Sequence, residues 1–178
     1  MTRLPRSTVV HSRLPASRFM LTKTSASALS STRPSIEILR RVAQLKTDLQ
    51  AEEVTEGVRI SLLGDVLFDF DQAVIRADAK PVLQKVAELI QRSGIPHVTI
   101  YGHTDAKGTT IHNKELSTRR ADAVKSYLIA TFTIAADQLQ TEGRGASQPV
   151  APNTNPDGSD NPEGRQRNRR VEIVIARQ

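Results

Sequence analysis

HVTIYGHTDAKGTTIHNKELSTRRADAVKSYL, residues 97–128, changes its periodicity once along its length. HVTIYG carries the β-branched residues of a strand. NKELSTRRADAVKSYLIATF, beginning at Asn113, repeats its apolar residues at helical spacing, with Leu116, Val124 and Leu128 on one side. Between them lies a polar loop holding Gly102, Asp105 and Gly108, where side chains are free to face a ligand. At about 100° per residue, Asn113, Leu116, Ser117, Arg120 and Val124 fall within roughly 60° of one line, whereas Arg119 projects toward solvent. One helix face therefore brings Asn113 and Arg120 close to the strand end that bears Asp105. A carboxylate and a guanidinium facing each other across a cleft suit a zwitterionic amino acid. The carboxylate takes the ammonium, and the planar guanidinium takes the carboxylate as a two-point fork. The same two groups could equally close an internal salt bridge between loop and helix. Spacing does not choose between them.

Working outward, GVRISLLGDVLFDF reads as two strands or a hairpin broken at Gly64-Asp65. ADAKPVLQKVAELIQRSG reads as a helix with Val82, Val86, Leu89 and Ile90 on one face. Pro81 fits its first turn and Gly94 stops it. After the second helix come the strand LQTEG, a Pro/Asn/Gly-rich loop over 144–168, and RRVEIVIA as a closing, alternating strand. The order βαβαββ predicts an α/β (α+β) two-layer sandwich, a mixed sheet with two main helices on one face. Upstream, SIEILRRVAQLKTDLQAEEV places Ile38, Val42, Leu45 and Leu49 at helical spacing behind Ser35 as N-cap. The expected organisation is a disordered basic tail over 1–34, an amphipathic linker helix over 35–54 and a folded domain over 57–178. The linker helix packs on that domain or on a second copy of itself, as a homodimer.

Composition narrows the chemistry. The absence of cysteine excludes disulfides, thiolate zinc sites and thiol nucleophiles. No run approaches the ~18 apolar residues of a membrane-spanning helix. The net charge of +6 resides in the tail, where Arg3, Arg6, Arg13, Arg18, Lys23 and Arg33 meet no acid; the remaining 19 basic residues balance 19 acidic ones. A neutral domain argues against polyanion binding, and the basic run RQRNRR lacks interleaved aromatics, so no nucleic-acid partner is expected. His97, His103 and His112 are scattered and read as solvent or loop histidines, with no metal or other cofactor implied.

VLFDFDQAVI, residues 66–75, presents Asp69 and Asp71 in the spacing that opens haloacid-dehalogenase-type, magnesium-dependent phosphohydrolases. That chemistry needs a nucleophilic carboxylate at a strand end, a Gly-Thr phosphate turn and a later acidic pair. Here Gln72-Ala73 follows Asp71, and no later strand ends in adjacent carboxylates. A phosphohydrolase using Asp69 and Asp71 stays as one alternative and a basic nucleic-acid module as another. The plainer reading sets both aspartates on an edge strand, alternating with Phe68 and Phe70.

The motif GHTDAKGT..HN..LS.RRA.AV..YL resembles the signature of the OmpA-like peptidoglycan-binding domain. The resemblance extends upstream to VLFDFDQAVIRADAKPVLQKVAELI and downstream to TEGRGASQPVAPN and GRQRNRRVEIVI, covering about residues 57–178. It implies a non-enzymatic module of the cell envelope, in the periplasm or at the outer membrane, that anchors proteins to peptidoglycan through the diaminopimelate of the stem peptide. By motif, Asp105 matches the residue that holds the diaminopimelate ammonium and Arg120 the one that grips its carboxylate. Asn113 and Leu116 shape the pocket, Thr104 adjoins it, and the backbone at Phe70 and Asp71 lines it. Arg170 is a weaker match, because spacing does not decide which arginine of the Arg169-Arg170 pair turns inward. Members carry a secretion signal, lipid anchor, barrel or membrane helix, none of which is legible in these residues.

Overall fold

The computed structural model describes residues 36–94 and 97–176. The basic tail over 1–34 and the Ser35 cap lie outside the described residues. Five strands form one mixed sheet: β1 (Glu52–Val54), β2 (Gly57–Leu63), β3 (Val98–Gly102), β4 (Leu139–Gly143) and β5 (Arg170–Ala176). Their spatial order is β1-β2-β5-β3-β4. Only β3 and β4 run parallel, because the helix between them carries the chain back across the sheet; the other neighbours are antiparallel.

The closing strand β5 therefore enters the middle of the sheet, and all its residues from Arg170 to Ile175 are buried. Register aligns Val58, Ile175, Val98 and Leu139 in one row across the sheet, and Ile60, Ile173, Ile100 and Thr141 in the next. Helices α3 (Lys80–Ser93) and α4 (Thr110–Phe132) cover this apolar face. They bury Leu83, Val86, Leu89 and Ile90 from one, and Ala121, Val124 and Leu128 from the other. This is the two-layer sandwich that the element order predicts.

The third row across the sheet, Leu62, Val171, Gly102 and Gly143, loses its side chains where α4 crosses. A Cβ on Gly102 would lie 2.0 Å from Ser117 O, and one on Gly143 2.2 Å from Thr118 Oγ1. The helix backbone thus rests directly on β3 and β4 at the end that leads into Asp105. Thr109 caps α4, its hydroxyl accepting from His112 N at 3.2 Å, so the helix starts one turn earlier than the apolar spacing suggests.

Three expectations need correction. The helix expected over 35–54 is α1 (Ile36–Asp48) and ends early. Gln50 adopts a left-handed conformation (φ 49°), Ala51 N donates to Lys46 O, and 52–54 becomes strand β1. The second strand expected after Gly64-Asp65 is a single helical turn, α2 (Gly64–Leu67). The adjacent residues Leu67 and Phe68 are both buried, which the alternation of a strand cannot achieve against one layer. Phe68 makes an isolated bridge to Ile75, and Asp69–Gln72 is a turn, not an edge strand. The 144–168 loop ends in α5 (Pro162–Asn168), with Asn161 as N-cap and Pro162 in the first turn.

Candidate functional site

A cleft of about 260 Å³ opens where the loop after β3, the first turns of α4 and the Asp69–Gln72 turn meet. Asp105, Arg120, Asn113, Leu116, Thr104, Phe70 and Asp71 all line it, joined by Asp65, His112, Arg165 and Arg169. The helix line read from the sequence is the buried one: Asn113, Leu116, Ser117, Arg120 and Val124 face inward and Arg119 is exposed.

Asp105 is 8% exposed. Its Oδ1 accepts from Lys107 N at 3.0 Å, and its Oδ2 receives Arg169 Nη1 at 2.8 Å and Arg165 Nη1 at 3.4 Å. The internal Asp105–Arg120 salt bridge is therefore not formed. Arg120, 5% exposed, spends only its Nε, which donates to Gln72 O at 2.9 Å, while the guanidinium sits 5.2 Å from the Phe68 ring centre. Among the described residues neither Nη group donates a hydrogen bond, and no carboxylate pairs with this side chain. Burial pushes the Arg120 pKa down, against the upward pull of Asp65 and Asp71, yet a guanidinium remains charged at any physiological pH. A buried, charged fork with free donors on the wall of a cleft is equipped to take a carboxylate.

Arg169 bridges Asp105 to Asp65, donating to the latter from Nη2 at 2.9 Å and from Nε at 3.1 Å. That contact holds the Asp65 carboxyl below its ordinary range. Arg165 sits one helical turn earlier on α5 and donates to Asp160 from Nη2 at 2.6 Å. Asn113 braces the loop, its Nδ2 donating to Lys107 O at 2.9 Å and Asp105 O at 3.3 Å. Thr104 presents a buried hydroxyl without a partner among the described residues. Asp71 takes a left-handed backbone (φ 55°), its carboxylate meeting His112 Nε2 at 2.9 Å, and leaves Phe70 92% exposed at the rim.

Of the two arginines between which spacing does not decide, Arg169 lines this cleft and Arg170, the weaker candidate, does not. Alternation along β5 puts Arg170 on the same side as Glu172, to which it donates at 2.8 Å, while its Nη2 reaches Gln148 O at 3.1 Å. Reading 144–168 as an irregular loop hid the i,i+4 relation of Arg165 and Arg169, although Asn161-Pro162 is a helix-start signal. Asp69 also lies outside the cleft lining and pairs with Arg76 at the surface. Among the described residues no three His, Asp or Glu side chains are grouped to hold a metal ion.

His103, expected in solvent, is 1% exposed, with Nε2 3.7 Å from Glu172 Oε2. The histidine and then Arg170 lower the Glu172 pKa to about 2, below its ordinary 4.5. A depressed carboxyl pKa stabilises the fold above the unfolded value and loses that contribution as pH falls through the folded one. Glu172→Gln is therefore expected to be less stable than wild type at pH 7. Its denaturation midpoint should then change less between about pH 5 and pH 2, as urea titrations across that range will show.

The OmpA family profile matches residues 67–165. A 129-residue stretch, 72% of the chain, is 46% identical to part of a photosystem I chlorophyll a apoprotein of Gloeobacter violaceus, covering 15% of that protein. Outer membrane protein A of Bordetella avium is 38% identical over 119 residues, 67% of this chain and 58% of that one. Peptidoglycan-binding protein ArfA of Mycobacterium bovis is 38% identical over 112 residues, 63% of this chain and 32% of that protein. The chain thus spans less than two thirds of the length of each of these relatives. Among solved structures, the cell wall anchor of the T6SS from Pseudomonas aeruginosa superposes with a TM-score of 0.61 at 31% identity, over 82% of this chain and 99% of that one. The profile match covers more than half of the chain, takes in α3, β3, α4 and β4 and every cleft residue except Asp65 and Arg169, and on that ground the chain belongs to the OmpA family.

Proposed function

We propose that residues 57–178 form a non-enzymatic module that holds peptidoglycan through the diaminopimelate of its stem peptide, tethering the protein within the cell envelope. One observation carries the reading. Arg120 is buried on the wall of the cleft with two Nη groups unspent and no carboxylate partner among the described residues, across from a carboxylate that is held elsewhere. Two fixed, opposite charges in a partly desolvated cleft match the carboxylate and ammonium of one amino-acid end. Asp105 retains one lone pair, on Oδ1, for an ammonium, since each carboxylate oxygen offers two and Oδ2 already receives both arginines. Leu116 provides the apolar wall for the methylene chain, and the turn at Phe70 and Asp71 closes the mouth. The wall-binding proteins among the relatives, by the names they carry, support the wall-binding part of this reading.

The test is co-sedimentation of the full chain with purified sacculi of the diaminopimelate type and of the lysine type. Lysine lacks the second carboxylate, so Arg120 would have nothing to grip. The protein is expected to pellet with the former, at least tenfold more than with the latter, and to be released by free meso-diaminopimelate. Equal pelleting with both would defeat the reading.

A further inference from the structure

A second cleft, of about 510 Å³, shares two walls with the first: Gly108 and Asn113 line both. Its other lining includes Thr110, Lys114, Arg144 and the Gly145–Ser147 turn. The two clefts differ in sign. The first mixes Asp65, Asp71 and Asp105 with arginines, whereas the second is lined by two cations and no acid. Lys114 Nζ donates to Gly143 O at 2.6 Å and has no carboxylate partner among the described residues. Arg144 lies over the Tyr101 ring at 3.5 Å and donates to Gln148 Oε1 at 2.6 Å; its Nε is 3.5 Å from Glu142 Oε1. Gly145, at φ 53°, brings the turn against the α4 backbone, where a Cβ would stand 3.3 Å from Lys114 N. The cleft floor is thus kept open between the two cations.

Resting on the peptidoglycan reading above, we propose that this second cleft is a carboxylate subsite, taking a free carboxylate of the stem residue next to the diaminopimelate in the first cleft. Two sources share that chemistry. One is the α-carboxylate of the γ-linked glutamate that precedes the diamino acid, and the other is the terminal carboxylate of an alanine that follows it. Contiguity through Gly108 and Asn113 lets a ligand one residue longer than the diamino acid enter both clefts. The uncompensated Lys114 supplies the attraction, and Arg144, held flat by Tyr101, presents a fixed second donor.

Calorimetric titration of the full chain compares free meso-diaminopimelate, the tripeptide L-Ala-γ-D-Glu-meso-diaminopimelate, the same tripeptide amidated at the glutamate α-carboxylate, and the tetrapeptide ending in D-alanine. If glutamate is the source, the acid tripeptide binds about fivefold tighter than its amide, the size of a partly exposed ion pair. If alanine is the source, the gain appears between tripeptide and tetrapeptide. In either case Lys114→Gln, which keeps a donor for Gly143 O, removes the gain and leaves the affinity for free diaminopimelate unchanged. Equal affinity for all the peptides and the free amino acid overturns the subsite while leaving the first cleft intact, as does a gain that survives Lys114→Gln. Absence of binding by any of the four overturns the reading of the first cleft and this inference with it.

Discussion

Asp105→Asn is expected to weaken binding to diaminopimelate-type sacculi on the order of 100-fold while leaving the protein folded. The substitution keeps the volume and removes the charge that the proposed function sets against the ammonium, so the ligand's cation would enter a partly dry cleft unpaired. Inside the protein the loss is cushioned. Arg169 keeps its two contacts with Asp65, and Arg165 keeps Asp160, so neither guanidinium is stranded. Arg120→Gln should weaken binding by a similar factor for a different reason. It removes the fork for the ligand carboxylate and breaks no internal ion pair, because Arg120 makes none among the described residues. The two changes therefore have distinguishable signatures. In urea denaturation without ligand their effects should add to within about 0.5 kcal/mol, as for sites without a shared contact. In sacculus binding the double variant should be little worse than either single one, since a one-handed grip is already lost. Coupling in stability of 1 kcal/mol or more would restore the internal salt bridge and sink the ligand assignment.

Gly102→Ala is expected to cost more than about 3 kcal/mol and to leave much of the chain unfolded at room temperature. Adding methylenes to a packed core typically costs 1–3 kcal/mol where side chains can give way. Here the added carbon would meet backbone, 2.0 Å from Ser117 O and 2.7 Å from Ser117 C. Relief requires lifting α4 off β3, which opens the core around Val124 and Leu128. It would also part Asp105, three residues beyond the glycine, from Arg120, three residues beyond the serine. Denaturant titration checks the stability. Whatever fraction remains folded should fail to pellet with sacculi, because the two charges would no longer face one cleft.

Local patterns carried much of this. The period of 113–128 specified which side of α4 is buried, down to the inward Arg120 and the outward Arg119, because a helix fixes neighbours by its own hydrogen bonds. The alternation and order of elements specified two layers, because each amphipathic face has to be covered. Asp105 and Arg120 were legible as a pair for the same reason: both lie within one strand-loop-helix unit. What the tertiary structure decided is which charges they meet. By inserting β5 between β2 and β3, the sheet brings Arg165 and Arg169, 60 and 64 residues away in the chain, onto Asp105 and turns Arg170 toward Glu172. It also converts the FDFD stretch from an expected strand into a turn against α4, because Leu67 and Phe68 must both be buried. Periodicity sets which face a residue occupies, whereas strand order sets which distant residue stands opposite it. That is why the facing of Asp105 and Arg120 could be read from the sequence, and why the arginine clamp that holds Asp105 away from Arg120 could not.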